Sequence, residues 1–264
     1  MSKKVNLNLS LFVIPLAILV AYFLYNYVLG QPGNFVDGDP TKEPINNNFL
    51  GVIYKGGPIV ILLISFQLIM LVYVIERFIA IRLSAGKGNL QNFVAQVKNL
   101  LASGQLEEIQ KLCDQQKGAV ANVVKTGIGT YLSRKAKDGH DQKDIYLIQK
   151  ELEESTQLEL PILNKNMFIL STIAQIATLV GLLGTVTGMI KAFGALASVG
   201  EPDPVGLAGG ISQALVTTAL GISTAAVTIV FYNFFANKIE KVTYAIDEAS
   251  FSIIHSLKLK YFSS

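Results

Sequence analysis

The chain has 264 residues, of which 51% are hydrophobic and 16% charged, with a net charge of +3. That charged fraction is below the roughly one quarter of a soluble domain, and the scattered basic excess excludes a nucleic-acid footprint. One cysteine, Cys113, excludes an internal disulfide, and with two distant histidines, His140 and His255, it makes no metal site of known spacing.

The apolar residues fall in four blocks, each long enough to cross a bilayer as a helix. Residues 1–30 hold the first, about Leu9 to Leu29 after Lys3 and Lys4. It reads as a retained helix, because its apolar run exceeds the core of a signal peptide, although "VLG" before Gln31 resembles a cleavage site. Residues 31–57 form a loop rich in Pro, Gly, Asn and Asp, expected to be irregular. Residues 58–83 are the second span and end in "VIERFIAIRL", with Glu76 and Arg77 expected as a pair at the membrane interface.

Residues 84–160 are soluble in composition and helical in pattern. "NLQNFVAQVKNLL" and "QLEEIQKLCDQQ" place apolar residues three and four apart. "KDGHDQ" is a loop, Asp141 is a candidate cap, and the next helix runs through "KDIYLIQKELEESTQLEL" to Pro161, which is expected to kink it or mark a join. Residues 161–199 and 205–238 are the third and fourth spans, joined by the turn 200–204, where Glu201 and Asp203 read as turn residues. Both spans exceed a bilayer's needs and are expected to continue into the cytoplasm, with 239–264 a C-terminal helix. The fold class is all-α and polytopic, with long transmembrane helices extending into a helical cytoplasmic region.

Lysine and arginine concentrate in 84–160 and in the C-terminal tail, while 30–57 holds only Lys42 and Lys55 and the outer turn none. By the positive-inside bias, both termini and 84–160 are cytoplasmic.

The third span carries "GLLGTVTG". At 100° per residue, Ser171, Gln175, Thr178, Gly181, Thr185, Gly188 and Ala192 fall in one stripe about 140° wide, with Thr172 and Thr187 outside it. On the fourth span Gly206, Gly210, Gln213, Thr217, Gly221, Thr224 and Thr228 share a face, with Thr218 beside it. Small residues let helices approach in lipid, and hydroxyls bond across the gap. By that account Gly181, Gly184, Gly188, Gly210 and Gly221 are packing positions. A second account makes the hydroxyls and the amide a polar lining around a shared space, with Thr185, Thr218, Gln213, Thr217 and Thr178 as candidate pathway residues. Neither span contains Asp or Glu, so a titrating carboxylate must come from elsewhere, and Lys191 is expected to snorkel to the outer interface.

"IATLVGLLGTVTGMIKAFGALA" and "GGISQALVTTALGISTAAVTIVFYNFFANKIE" resemble the MotA/TolQ/ExbB proton channel family, and within it look closest to ExbB. The "ER" at 76–77 resembles the end of the family's first core helix; the first span and its loop lie outside the usual three-span pattern. The resemblance implies a homo-pentameric ring in the bacterial inner membrane around a dimer of single-span ExbD/TolR-type partners. The resemblance further implies that an aspartate in the partner's membrane helix carries protons and that motion passes to a TonB-like protein. Thr185 matches the threonine of the family's "GTV" and Thr218 that of "TA.G". Gln213 stands where ExbB and TolQ proteins commonly have glutamate, so it cannot relay a proton as a carboxylate would.

No nucleophile–base pair or phosphate loop appears, so enzymatic chemistry and a cofactor are not expected. TolQ-like envelope maintenance, a MotA-like flagellar stator and a non-conducting membrane scaffold are the alternatives. A secondary transporter is disfavoured because no internal repeat is visible.

Overall fold

The computed structural model describes residues 9–45, 48–135, 142–197 and 203–262. The candidate cap Asp141, the loop around it and Glu201 lie outside these residues. The chain divides into two compact units, Met1–Ile75 with Phe168–Tyr232 and Glu76–Met167 with Asn233–Ser264. Among the described residues the regular elements are helices. Four helical segments are long and apolar enough to cross a membrane.

In the first unit, α1 (Leu9–Phe23) passes into one wider π turn, Leu24–Leu29. The following loop is more ordered than its composition suggests. It contains two short 3-10 turns and α2 (Phe49–Tyr54), and Phe35, fully buried, pairs with Pro44 in one antiparallel bridge. Asn34 holds the loop to the helix: its side-chain amide donates to the carbonyls of Val28 and Leu29, both at 2.9 Å, and its oxygen accepts from Asn48 Nδ2 at 3.0 Å. These bonds satisfy carbonyls that a helix end would otherwise leave open. Tyr25 stacks on Tyr54 with centroids 4.6 Å apart and donates its hydroxyl to the Tyr54 carbonyl.

Helix α3 runs Ile59–Ala85. In the second unit it is followed by α4 (Leu90–Ser103), α5 (Leu106–Gln116), α6 (Gly118–Lys135) and α7 (Gln142–Asn164). The first two match the helical periodicity of the sequence. Asn89 caps α4 by accepting from the Gln91 amide at 2.8 Å, and Gly104 ends it with φ 75°, which a side chain would resist. The core of this unit is aliphatic: Val97, Ile109, Val123, Val124 and Ile128 are fully buried. Cys113 belongs to it. Burial, reinforced by the charge of Asp114, pushes its thiol up to about 12.

Helix α7 continues past Pro161 and stops at Asn164; Asn166, at φ 61°, makes the join to the next helix. Asparagine is among the few residues that take this left-handed conformation at low cost. Arg77 is buried within the protein, at 1% exposure. It donates Nε and Nη2 to the Glu76 carboxylate at 2.6 and 2.5 Å, and Nη1 to the Leu163 carbonyl at 3.2 Å. A cation at a helix C-terminus meets the negative end of the helix dipole.

Helices α8 (Met167–Leu196) and α9 (Pro204–Phe262) are the two longest. Asp203 caps α9, its Oδ1 accepting from the amides of Val205 at 3.1 Å and Gly206 at 3.0 Å, and Pro204 starts the helix where no amide donor is needed. At 59 residues α9 is about 90 Å long.

Candidate functional site

Within the first unit, α8 and α9 pack antiparallel along their glycines. A Cβ added at Gly221 would lie 2.7 Å from the Ala177 carbonyl and 2.9 Å from the Gly181 Cα. One at Gly188 would lie 2.7 Å from both the Ala214 amide nitrogen and the Gly210 carbonyl oxygen. One at Gly210 would meet Ala192 N at 2.5 Å. Gly184 leaves room for the Thr217 side chain, whose Cγ2 would be 2.8 Å from an added Cβ. Gly181, Gly188, Gly210 and Gly221 therefore stand where backbone meets backbone, and Gly184 where backbone meets the Thr217 side chain.

The close approach brings polar side chains together. The hydroxyls of Thr185 and Thr218 touch each other. Each also has a carbonyl on its own helix: Thr218 donates to Ala214 at 2.9 Å, and Thr185 reaches Gly181 at 3.4 Å. A hydroxyl has one proton and two lone pairs. The pair can therefore switch which member donates to the other, and either can turn a donor toward a newly arrived acceptor. Both residues are half-buried.

Gln213 is nearly buried, at 5% exposure, and both ends of its amide are engaged. Its Oε1 accepts from Lys191 Nζ at 2.8 Å, and its Nε2 donates to Thr187 Oγ1 at 3.4 Å. Leaving such an amide unpaired would cost about 1–3 kcal/mol. Its flank is closed by Gly57, at φ 73°, where an added Cβ would lie 3.3 Å from the Gln213 side chain. Lys191 thus turns inward to an acceptor 22 positions along the chain. Thr187, outside the polar stripe on the wheel, joins the same cluster because it lies one turn from Lys191.

The remaining candidates separate. Thr217 is fully buried against Gly184 and donates to the Gln213 and Ala214 carbonyls of its own helix at 2.8 and 3.1 Å. Thr178 lies two turns before Thr185 and is exposed. A further amide, Gln67 on α3, donates to Thr224 Oγ1 at 3.0 Å. Its only sequence signal is a lone glutamine within an apolar helix.

The chemistry available here is hydrogen bonding, with the Lys191 side chain at one end of the cluster. The hydroxyl pair can donate a hydrogen bond to an arriving polar group or accept one from it, but nothing on α8 or on α9 before Glu240 is a carboxylate.

Residues 115–248, just over half of the chain, match the model of the MotA/TolQ/ExbB proton channel family. The chain is 28% identical over 183 residues to a Synechocystis protein described as biopolymer transport protein ExbB-like 3, covering 68% of this chain and 81% of that one. It is 29% identical over 143 residues to the biopolymer transport protein ExbB of Aquifex aeolicus, covering 52% and 88%. It is 40% identical over 70 residues to ExbB of Salmonella typhimurium, where the match covers 26% of this chain and 29% of the relative.

Proposed function

Since the chain belongs to the MotA/TolQ/ExbB proton channel family, we propose that it is the ring-forming subunit of an ExbB-type energy-transducing complex in a bacterial inner membrane. In this reading five copies enclose a dimer of a single-span ExbD/TolR-type partner. Both termini and the α4–α7 region face the cytoplasm. The partner's membrane aspartate titrates as protons pass, and the resulting movement works on a TonB-like protein.

The observation that carries the reading is the contact between Thr185 and Thr218. Two hydroxyls on apolar helices give an approaching carboxylate a donor when it is charged and an acceptor when it is protonated. Each exchange replaces one hydrogen bond with another, so the carboxylate is not left bare in a medium where that costs several kcal/mol. Thr178 and Gln213 extend the polar surface to either side. Gln213 contributes dipole rather than charge, which leaves proton carriage to the partner.

One observation favours the scaffold alternative: the α8–α9 glycines and the buried Thr217 account for much of the small and polar content by packing alone. Thr185→Val with Thr218→Val separates the two readings. Valine keeps the volume and removes the hydroxyl. The variant, co-expressed with its neighbouring single-span partner and reconstituted in vesicles, is expected to assemble at unchanged particle mass and to lose proton flux at least tenfold. Unchanged flux would rule against the channel reading. A particle mass incompatible with five copies would rule against the ring. The partner's own periplasmic domain distinguishes ExbB-like or TolQ-like work from a MotA-like stator.

A further inference from the structure

The second unit contains a groove of about 880 Å³ that the transport reading does not use. That volume suits a sizeable ligand. The end of α3, the first turn of α4 and the stretch of α9 after Phe234 line it. Its apolar wall includes Phe78, 52% exposed, and Phe234, 46% exposed, beside the buried Ile81 and Phe235.

Three cations stand along it: Arg82 on α3, and Lys238 and Lys241 on α9. Among the described residues none of them forms an ion pair. Lys238 instead lies 5.6 Å above the Phe234 ring. Of the two acids lining the groove, Glu248 is already bonded to Lys98 at 2.6 Å. Glu240 lies about 120° around the helix from the stripe shared by Phe234, Lys238 and Lys241. The groove therefore carries unneutralised positive charge beside exposed aromatic surface.

Its position in the chain tells what chemistry fits. The apolar run of α3 ends at Ile75, before Glu76 and Arg77, with Arg82 a little over one turn further on, and that of α9 ends at Ala236, two residues before Lys238. Where hydrocarbon-length sequence gives way to basic side chains, the surroundings change from acyl chains to headgroups. A ligand here has an apolar tail and an anionic head.

We propose that this groove is a binding site for an anionic phospholipid of the adjacent leaflet. The phosphate lies among Arg82, Lys238 and Lys241, and the upper acyl chain lies against Phe78 and Phe234. The inference needs α3 and α9 to cross the membrane; it does not need the ring, the partner or proton flow.

The test is native mass spectrometry of the full-length chain in detergent with phosphatidylglycerol or phosphatidylcholine. Phosphatidylglycerol adducts are expected to survive and phosphatidylcholine adducts to strip. The triple variant R82Q/K238Q/K241Q is expected to weaken phosphatidylglycerol binding about tenfold or more. The single variant K241Q shows a smaller loss and guards against misfolding of the triple, with helix content followed by circular dichroism. K42Q/K55Q, which removes two cations elsewhere, and T185V, which disables the proposed pathway, leave binding unchanged. Equal retention of phosphatidylcholine, or wild-type binding by the triple variant, overturns the proposal. So does displacement of the lipid by sn-glycerol-3-phosphate, which would identify a soluble phosphate ligand, or exclusion of lipid by a second copy of the chain seated in the groove.

Discussion

Gly209 and Gly210 are neighbours on α9 with opposite surroundings, and exchanging each for alanine separates packing from helix propensity. A Cβ at Gly209 meets nothing within 4 Å, whereas one at Gly210 lies 2.5 Å from Ala192 N, 2.7 Å from the Gly188 carbonyl oxygen and 2.8 Å from Ala192 Cα. All three are backbone atoms, so no side chain can rotate away. Ordinary contact begins at 3.4 Å, so α8 and α9 must part by about 0.6–0.9 Å at this point. Overpacking of this kind costs about 1–3 kcal/mol, while alanine returns up to about 1 kcal/mol of helix propensity at either site. Gly209→Ala is therefore expected to be neutral or stabilising, and Gly210→Ala to fall about 1–3 kcal/mol below it. For a chain of this length that separation is roughly 2–4 °C in Tm per kcal/mol. Thermal unfolding of the two purified variants, side by side in one detergent, measures it. Equal shifts, or a Gly210→Ala variant that melts above Gly209→Ala, would show that the α8–α9 glycines are not in backbone contact.

Gln213→Glu places a carboxylate beside the Lys191 ammonium, so it is expected to assemble and melt like the wild type. Adding Lys191→Met strands that charge and should cost roughly 1–3 kcal/mol, less than for a fully enclosed pair because Lys191 is exposed. Melting of single and double variants decides it, and identical curves would remove Lys191 from the cluster. Cys113 is raised from 9.0 to about 12 by burial, so its neutral form is favoured in the folded chain. Its contribution to stability is complete below pH 9 and declines between pH 9 and 12. The thiol should resist maleimide at pH 8 until denaturant is added, and Cys113→Ala should flatten the alkaline fall in unfolding free energy.

The four apolar helices and the family were legible because lipid demands long uninterrupted helices, and because "GLLGTV" and "QALVTTALG" hold their small and hydroxyl residues at helical spacing. The wheel, however, treats each helix alone. It ranks Thr187 outside the stripe, while the antiparallel contact gives Thr187 the amide of Gln213. Lys191 reads as a snorkelling cation until the partner helix supplies an acceptor. The pairing of Arg77 with Glu76 is local, but its further acceptor, the Leu163 carbonyl, lies 86 residues away. Helix α6 was obscured by Gly118, Gly127 and Gly129; Gly127 would bring an added Cβ within 2.9 Å of Leu152 Cγ, so its glycine serves the packing of α6 on α7. Long-range partners of polar groups were hidden, whereas local periodicity was visible.

The carboxylate-free length of α8 and α9 bears on how a cell can make such a complex. Together α8 and the stretch of α9 before Glu240 offer hydroxyls, amides and the Lys191 amine, and no carboxylate. On the reading proposed above, copies made ahead of an acidic partner would therefore leave the proton gradient untouched until that partner had threaded into place.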